Sequence, residues 1–214
     1  TMKTDELVSM LAQGDIAVPS HTASKRIGLA LAGGIMLSFG LMLLVLGIRP
    51  DLMSAIERPM FWVKLLFALS FGIMGLVAVS RLSRPGVPLK KLPWAFSIPI
   101  SLIWLWSLVL LVQAPPAQRL SLVLGDTWVV CPALIALLAA PIFAAAIWAV
   151  RSLAPTQLPQ AGAAVGLMAG GWGAVVYCLH CPEMSAPFIG TWYLLGIMIP
   201  AVFGAVLGKT LLRW

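Results

Sequence analysis

Six long apolar stretches alternate with short polar connections along this chain of 214 residues. Each stretch is close to the roughly 20 residues that an α-helix needs to cross the hydrocarbon core of a bilayer. The pattern therefore predicts an all-α, polytopic membrane protein built as a bundle of six transmembrane helices. The predicted segments are residues 27–48, 60–80, 93–113, 127–150, 162–180 and 191–208.

Composition supports a membrane protein, because 61% of the residues are hydrophobic, 10% are charged and the mean hydropathy is +1.01. Such a chain has too little polar surface to enclose a soluble core. The net charge of +7 arises from short basic runs between apolar segments, so it indicates membrane topology and not a nucleic-acid surface. No Asp or Glu lies within a predicted segment, and a transmembrane bis-histidine haem site is excluded because the chain's two histidines are His21 and His180, of which only His180 lies in a segment.

The basic residues also predict orientation. An even number of segments places both termini on one side of the membrane, and ten basic residues fall on that side against three on the other. By the positive-inside rule both termini are cytoplasmic, and we expect the bacterial inner membrane. The ten are Lys3, Lys25, Arg26, Arg81, Arg84, Lys90, Lys91, Arg151, Lys209 and Arg213; the three are Arg49, Arg58 and Arg119.

The N-terminal segment, residues 1–26, is the one sizeable polar part of the chain and precedes a membrane domain of residues 27–214. It predicts a short amphipathic helix, because Thr4 can cap the helix and the acidic Asp5 and Glu6 suit its positive end. The apolar side of this helix is formed by Leu7, Val8, Met10 and Leu11. A helix this short is unstable alone in water, so it lies on the membrane or binds a partner.

The richest chemistry lies in residues 177–183, which read Tyr-Cys-Leu-His-Cys-Pro-Glu. The predicted topology places Cys178, His180 and Cys181 at the outer end of the fifth segment, where Pro182 ends the helix. Cys131 lies in the fourth segment, roughly 7 to 8 Å below the same surface at helical rise. All three cysteines are therefore predicted at one depth, near the outer rim of the bundle.

Three interpretations of that cluster remain open. Cys178 and Cys181 could form a local disulfide, or either could pair with Cys131. Thiolates together with His180 and Glu183 could instead bind a soft metal ion such as zinc, cadmium or cuprous copper, although no cofactor is required. The third interpretation is two packed cysteines and a surface histidine.

Two further features of the segments have structural interpretations. Lys64 is the one basic residue well inside a segment, about one turn from its outer end, and we expect its side chain to snorkel to the interface. Glycines at four-residue spacing predict close helix packing in the fifth and sixth segments. They are Gly162, Gly166, Gly170, Gly196, Gly204 and Gly208.

Six short motifs together resemble the NrsF family. That family comprises six-helix integral-membrane anti-sigma factors that regulate extracytoplasmic-function sigma factors negatively in proteobacteria. The likeness extends over nearly the whole chain, in order and at matching spacing. The motifs are Lys3-Thr4-Asp5-Glu6-Leu7, Arg49-Pro50-Asp51-Leu52, Arg84-Pro85-Gly86, Trp128-Val129-Val130-Cys131, Tyr177 to Glu183 and Leu212-Arg213-Trp214.

The resemblance implies that the cytoplasmic N-terminal segment holds a sigma factor inactive at the membrane, through residues near Asp5 to Leu11. It also implies that Cys131 and Cys181 sense heavy metals or oxidants from the periplasmic side, flanked by His180 and Glu183. Cys178 does not match the family pattern. The protein is then a regulator and not an enzyme, and its partners are the sigma factor and the bilayer.

Two other functions are considered beside this one. A membrane thiol oxidoreductase would pass electrons from the rim cysteines to a quinone, but the sequence shows no second redox pair or quinone site. A small metal transporter would need polar or thiol groups below Cys131, and the predicted helices carry none there.

Overall fold

The computed structural model of the chain describes residues 6 and 9 and residues 22–84, 87–90 and 92–213. Throughout these residues the regular secondary structure is helical, with no strand, as the apolar pattern predicts. The helices are α1 (Thr22–Val45), α2 (Leu52–Ile56), α3 (Pro59–Leu82), α4 (Leu92–Ala95), α5 (Ser97–Gln113), α6 (Pro116–Leu124), α7 (Cys131–Arg151), α8 (Leu158–Tyr177), α9 (Ala186–Phe188) and α10 (Leu194–Leu211), with a π-helical turn at Ile189–Tyr193 between the last two.

Five stretches of helix in the described part of the chain are long and apolar enough to cross a membrane. They correspond to five of the six predicted segments, so the prediction of a helical membrane protein is confirmed to that extent. The five are Ala23–Val45, Pro59–Leu82, Leu92–Gln113, Cys131–Arg151 and Ala186–Leu211.

The remaining predicted segment forms α8, a helix of 20 residues that contains five glycines and is not among these five spans. Most of its side chains are buried, since α8 packs against α3, α7 and α10, while α1 packs on the other side of α7. Its surface is therefore covered by protein more than by lipid.

Glycines on α8 permit this central position. A Cβ atom on Gly162 would overlap the carbonyl oxygen of Gly204, and one on Gly166 would overlap that of Pro200. With hydrogen in place of a side chain, the backbones of α8 and α10 come into direct contact. The predicted packing role of the glycines in both helices is thereby confirmed.

Three short helices, α2, α6 and α9, lie outside the predicted segments, and α6 is the longest of them. Residues between the third and fourth segments form α6, a short amphipathic helix whose side chains are all at least partly exposed. Pro116 stands in its first turn, where a missing N–H costs nothing, and Gly125 ends it with a φ of +57°. Its nine residues are too few for a periodic pattern to be distinguished from a polar loop.

Of residues 1–21, which make up most of the N-terminal segment, the structure describes only two. Glu6 and Ser9 are both helical and exposed, and the Ser9 hydroxyl donates a hydrogen bond of 2.9 Å to the Glu6 carbonyl. These two positions agree with the predicted short helix. Its other predicted residues, Asp5, Leu7, Val8, Met10 and Leu11, lie outside the described residues.

Replacing Gly166 by alanine tests the packing of α8 on α10. We expect the variant to lower the free energy of unfolding by about 1 to 3 kcal/mol, because the added methyl group has no space beside Pro200 and Ala201. Thermal unfolding in detergent micelles measures the effect. The matched control is Gly28→Ala, since a Cβ on Gly28 meets no atom within 4 Å. Equal melting temperatures for the two variants would contradict close packing at Gly166.

Candidate functional site

The candidate site is built around residues 178–185, here called the cysteine segment. Helical hydrogen bonds continue briefly past α8, and the Cys181 N–H still donates to the Tyr177 carbonyl at 3.0 Å. Pro182 has no N–H, so the helix cannot continue, and the segment runs without regular structure to Ser185. The carbonyl groups at this break are left for side chains of other helices to bind.

The structure brings the three cysteines together. Cys131, Cys178 and Cys181 are free thiols, all fully buried in one apolar cluster. Cys131 is the first residue of α7, and its side chain lies in the same buried cluster as that of Cys181. The predicted juxtaposition of these two residues from separate helices is therefore present in the fold.

Lys64 on α3 binds the cysteine segment directly. Its ammonium group donates hydrogen bonds of 2.9 Å to the carbonyl oxygens of both Cys181 and Glu183. It also lies 5.6 Å from the centre of the Tyr193 ring. The side chain is fully buried, so the prediction that Lys64 snorkels to the interface is wrong. It points inward because two carbonyl groups beside Pro182 lack helical partners.

Arg49 holds the same segment from the loop after α1. Its side chain donates a 3.0 Å hydrogen bond to the Cys181 carbonyl, and its own N–H donates to the Leu179 carbonyl at 3.1 Å. Two further hydrogen bonds of 2.7 Å form a bidentate pair with Asp51. Chiefly through these hydrogen bonds, the pKa of Arg49 is raised and the pKa of Asp51 is lowered.

The surroundings of Cys181 favour its thiolate. The hydrogen bond with Cys131 lowers the pKa of the Cys181 thiol, and the positive charge of Lys64 lowers it further, against the opposing effect of burial. A thiolate is the reactive form of cysteine towards oxidants and soft metal ions. Two adjacent thiols with one so activated can be oxidised to a disulfide or can bind a thiophilic ion.

Glu183 connects the segment to the loop before α7. One of its carboxylate oxygens accepts hydrogen bonds from the N–H of Asp126 at 2.8 Å and from the N–H and hydroxyl of Thr127 at 3.2 and 3.3 Å. Gly125 is required here, because a Cβ atom on it would lie 2.7 Å from the same carboxylate. Glu183 thus fixes the loop that carries the chain into Cys131.

His180 faces a different neighbour. Its Nδ1 lies 3.0 Å from the carbonyl oxygen of Gly47, so this nitrogen must carry a proton and donate. Among the described residues, no group of three or more His, Cys, Asp and Glu side chains is placed to hold a metal ion. Cys131, Cys181 and His180 therefore do not form a ready-made site for zinc or cadmium.

Sequence reasoning did not identify the two residues that bind the segment most directly. Lys64 was recognised as unusual, and an intramembrane lysine is itself a signal for a functional site. In the sequence Arg49 stands out only as a basic residue of an outer loop and as part of a motif with Asp51. Neither residue could be assigned to Cys181 from sequence, because their partners are backbone carbonyls more than 100 positions away.

Comparison with known proteins was made on the whole chain. The model of one protein family, NrsF, described as "Negative regulator of sigma F", matches residues 11–214. A protein of Azospira oryzae named "Probable anti-sigma-F factor NrsF" is 48% identical over 213 residues, which is 100% of both chains. The "Anti-sigma-F factor NrsF" of Caulobacter vibrioides is 38% identical over 218 residues, again covering 100% of each.

No solved structure matches the chain. The sequence relationships nevertheless extend over the helices and the cysteine segment alike, and both relatives match along their whole length. The resemblance seen in the short motifs is confirmed, and the chain belongs to the NrsF family.

Proposed function

We propose that this protein is a membrane-embedded anti-sigma factor that holds an extracytoplasmic-function sigma factor inactive. The observation that carries the proposal is the 48% identity, over the full length of both chains, to a relative named as a probable anti-sigma-F factor. Both named relatives are regulators and not enzymes by name. In this role the protein needs no catalytic turnover and no resident cofactor.

For the topology we propose six transmembrane helices in the bacterial inner membrane, with both termini cytoplasmic. Support comes from five helices of sufficient length and hydropathy and from the excess of basic residues on the terminal side. The sixth helix, α8, crosses inside the bundle, where its glycines contact α10 and not lipid. In this arrangement the N-terminal segment lies in the cytoplasm, the compartment that contains sigma factors.

The N-terminal segment is the proposed binding site for the sigma factor. Its acidic start and apolar side suit an amphipathic helix that lies in a groove of a partner protein. Glu6 is exposed and helical, so its carboxylate is free to meet a basic surface. The predicted contacts are Asp5, Glu6, Leu7, Val8, Met10 and Leu11.

Removal of residues 2–20 tests this binding site. The wild-type protein, purified from membranes, should carry the sigma factor with it, whereas the truncated protein should carry only background amounts. Circular dichroism and gel filtration of the truncated protein check that the bundle still folds. A truncated, folded protein that retains the sigma factor would show that the binding site lies elsewhere.

Cys131 and Cys181 are the proposed sensor of heavy metal or oxidative stress. A two-electron oxidant would break the two S–H bonds, form one S–S bond, accept two electrons and release two protons. A soft metal ion could instead bridge the two thiolates. Because both thiols are buried, either reaction requires the cysteine segment to open first. Arg49 and Lys64, which hold the segment, would set how often it opens.

The proposed route from sensor to sigma factor runs through α1. Its outer end is bound to the cysteine segment by His180 on Gly47 and by Arg49 on Cys181. Its other end, at Thr22, lies within the N-terminal segment, and the 24 residues of α1 form one helix of about 36 Å. Rearrangement of the cysteine segment would release or tilt α1 and so change the position of the sigma-factor-binding residues.

Replacing the two sensor cysteines by serine tests the sensing proposal. The Cys131→Ser, Cys181→Ser double variant should repress a sigma-dependent reporter normally but should no longer respond to cadmium or chromate. Cys178→Ser is the matched control, because Cys178 is equally buried in the same cluster and should leave the response intact. An unchanged response in the double variant would show that these two thiols pack in the core but do not sense the inducer.

Arg49→Gln tests the coupling through α1. Losing the charged hydrogen bonds to Cys181 and Asp51 should weaken the hold on the segment and raise reporter activity without inducer by about fivefold or more. Arg58→Gln, an exposed arginine nearby, serves as control and should change nothing. Immunoblots confirm equal amounts of protein. If the Arg49→Gln variant represses the reporter as fully as the Arg58→Gln variant does, the proposal that Arg49 couples the cysteine segment to α1 is wrong.

A further inference from the structure

A groove between α1 and α7 lies far from the cysteine segment, at the end of the bundle where α1 begins. It has a volume of about 630 Å³. Its mouth carries Lys25, Arg26 and Trp148, and its deeper walls are apolar and small. One face of α1 lines the groove along the groove's length, through Leu29, Gly33 and Leu37. No residue that lines this groove is acidic.

The mouth of the groove has the chemistry of an anion site. The Arg26 guanidinium lies 5.0 Å from the centre of the Trp148 ring, a cation–π contact that orients it beside the tryptophan. Lys25 is exposed and adds a second positive charge. Trp148 is 69% exposed, as an aromatic residue at the level of lipid headgroups would be.

The depth of the groove matches one leaflet of a bilayer. Lys25 and Leu37 are twelve positions apart on α1, which corresponds to about 18 Å at helical rise. Half of a bilayer's hydrocarbon core is about 15 Å thick. Since α1 is long and apolar enough to span, the groove runs from the headgroup level towards the middle of the membrane.

Small residues create the space within the groove. A Cβ atom on Gly33 would meet nothing within 4 Å, so this glycine faces open volume. A Cβ on the adjacent Gly34 would lie 2.8 Å from the Cα atom of Ile142, so this glycine makes the close contact with α7. The groove therefore has a tight floor and an open side towards lipid.

We propose that this groove binds one anionic phospholipid, with its phosphate on Lys25 and Arg26 and an acyl chain along Gly33 to Leu37. The charge at the mouth and the apolar length below it both fit such a molecule. A peptide at this depth would have to satisfy its backbone hydrogen bonds in hydrocarbon, whereas an acyl chain has none to satisfy. The site is independent of the proposed sensing by cysteines.

The test measures lipid binding to the full-length protein by native mass spectrometry in detergent, with phosphatidylglycerol and phosphatidylcholine as probes. Wild-type protein should bind one phosphatidylglycerol molecule roughly 10- to 30-fold more tightly than phosphatidylcholine, since each basic residue contributes to attraction. Inorganic phosphate at the same concentration should not displace the lipid, because it makes no contact with the apolar part of the groove.

Two variants separate the two halves of the site. Lys25→Gln with Arg26→Gln should lower phosphatidylglycerol affinity to the level of phosphatidylcholine, whereas Lys209→Gln with Arg213→Gln, which removes two exposed charges at the other chain end, should not. Gly33→Phe should fill the groove and weaken binding of both lipids. Gly28→Phe, at an equally open glycine outside the groove, should bind as wild type does.

Three results would overturn the proposal. One is equal binding by wild type, the Lys25 and Arg26 variant and Gly33→Phe. Another is equal weakening by the control variants, which would indicate general surface charge. The third is phosphatidylglycerol binding that appears only after residues 2–20 are removed, because the N-terminal segment would then be the occupant.

Discussion

Two buried cations bind the backbone of one short segment, and the arrangement of the end of the bundle that holds the cysteines depends on them. Lys64 and Arg49 both donate to the carbonyl oxygen of Cys181. Charge-assisted hydrogen bonds of this kind are stronger than neutral ones, and in a dry environment an unpaired ammonium would be costly. Among the described residues the one ion pair is that of Arg49 with Asp51, so the charge of Lys64 is balanced by carbonyl dipoles.

These hydrogen bonds position the thiols as well as the helices. Glu183 binds the loop before α7 and so fixes the start of the helix that carries Cys131, while Lys64 and Arg49 fix Cys181. The two thiols are therefore brought together by separate hydrogen bonds from three parts of the chain. The loop after α1, helix α3 and the loop before α7 therefore all meet at the cysteine segment.

Much of the fold follows from hydropathy alone. All six predicted segments are helical, and five are long and apolar enough to span. Hydropathy could not tell that α8 lies at the centre, because burial in protein and burial in lipid select similar residues. The glycine spacing predicted close packing in the fifth and sixth segments, since small residues at regular intervals indicate contact between helices, but it did not predict that α8 also packs against α3 and α7.

The site could be predicted in part. Topology brought Cys131 and Cys181 to one depth, and their contact in the fold agrees with it. The directions of Lys64 and His180 could not be read from sequence, because each depends on a carbonyl group exposed where another helix ends. Sequence patterns identify which groups are unusual; which backbone atoms remain unpaired is decided only when the helices pack.

The buried position of Lys64 has a consequence for how the protein is made. A lysine at the centre of a helix costs about 2.5 to 3.5 kcal/mol when that helix inserts into a membrane. Lys64 lies nearer the end of α3, and the helix is long and apolar enough to span despite it. The glycine-rich α8 leads directly into the carbonyl groups that Lys64 binds. Because α8 follows α3 in the chain, these hydrogen-bond partners are synthesised later than the lysine that needs them.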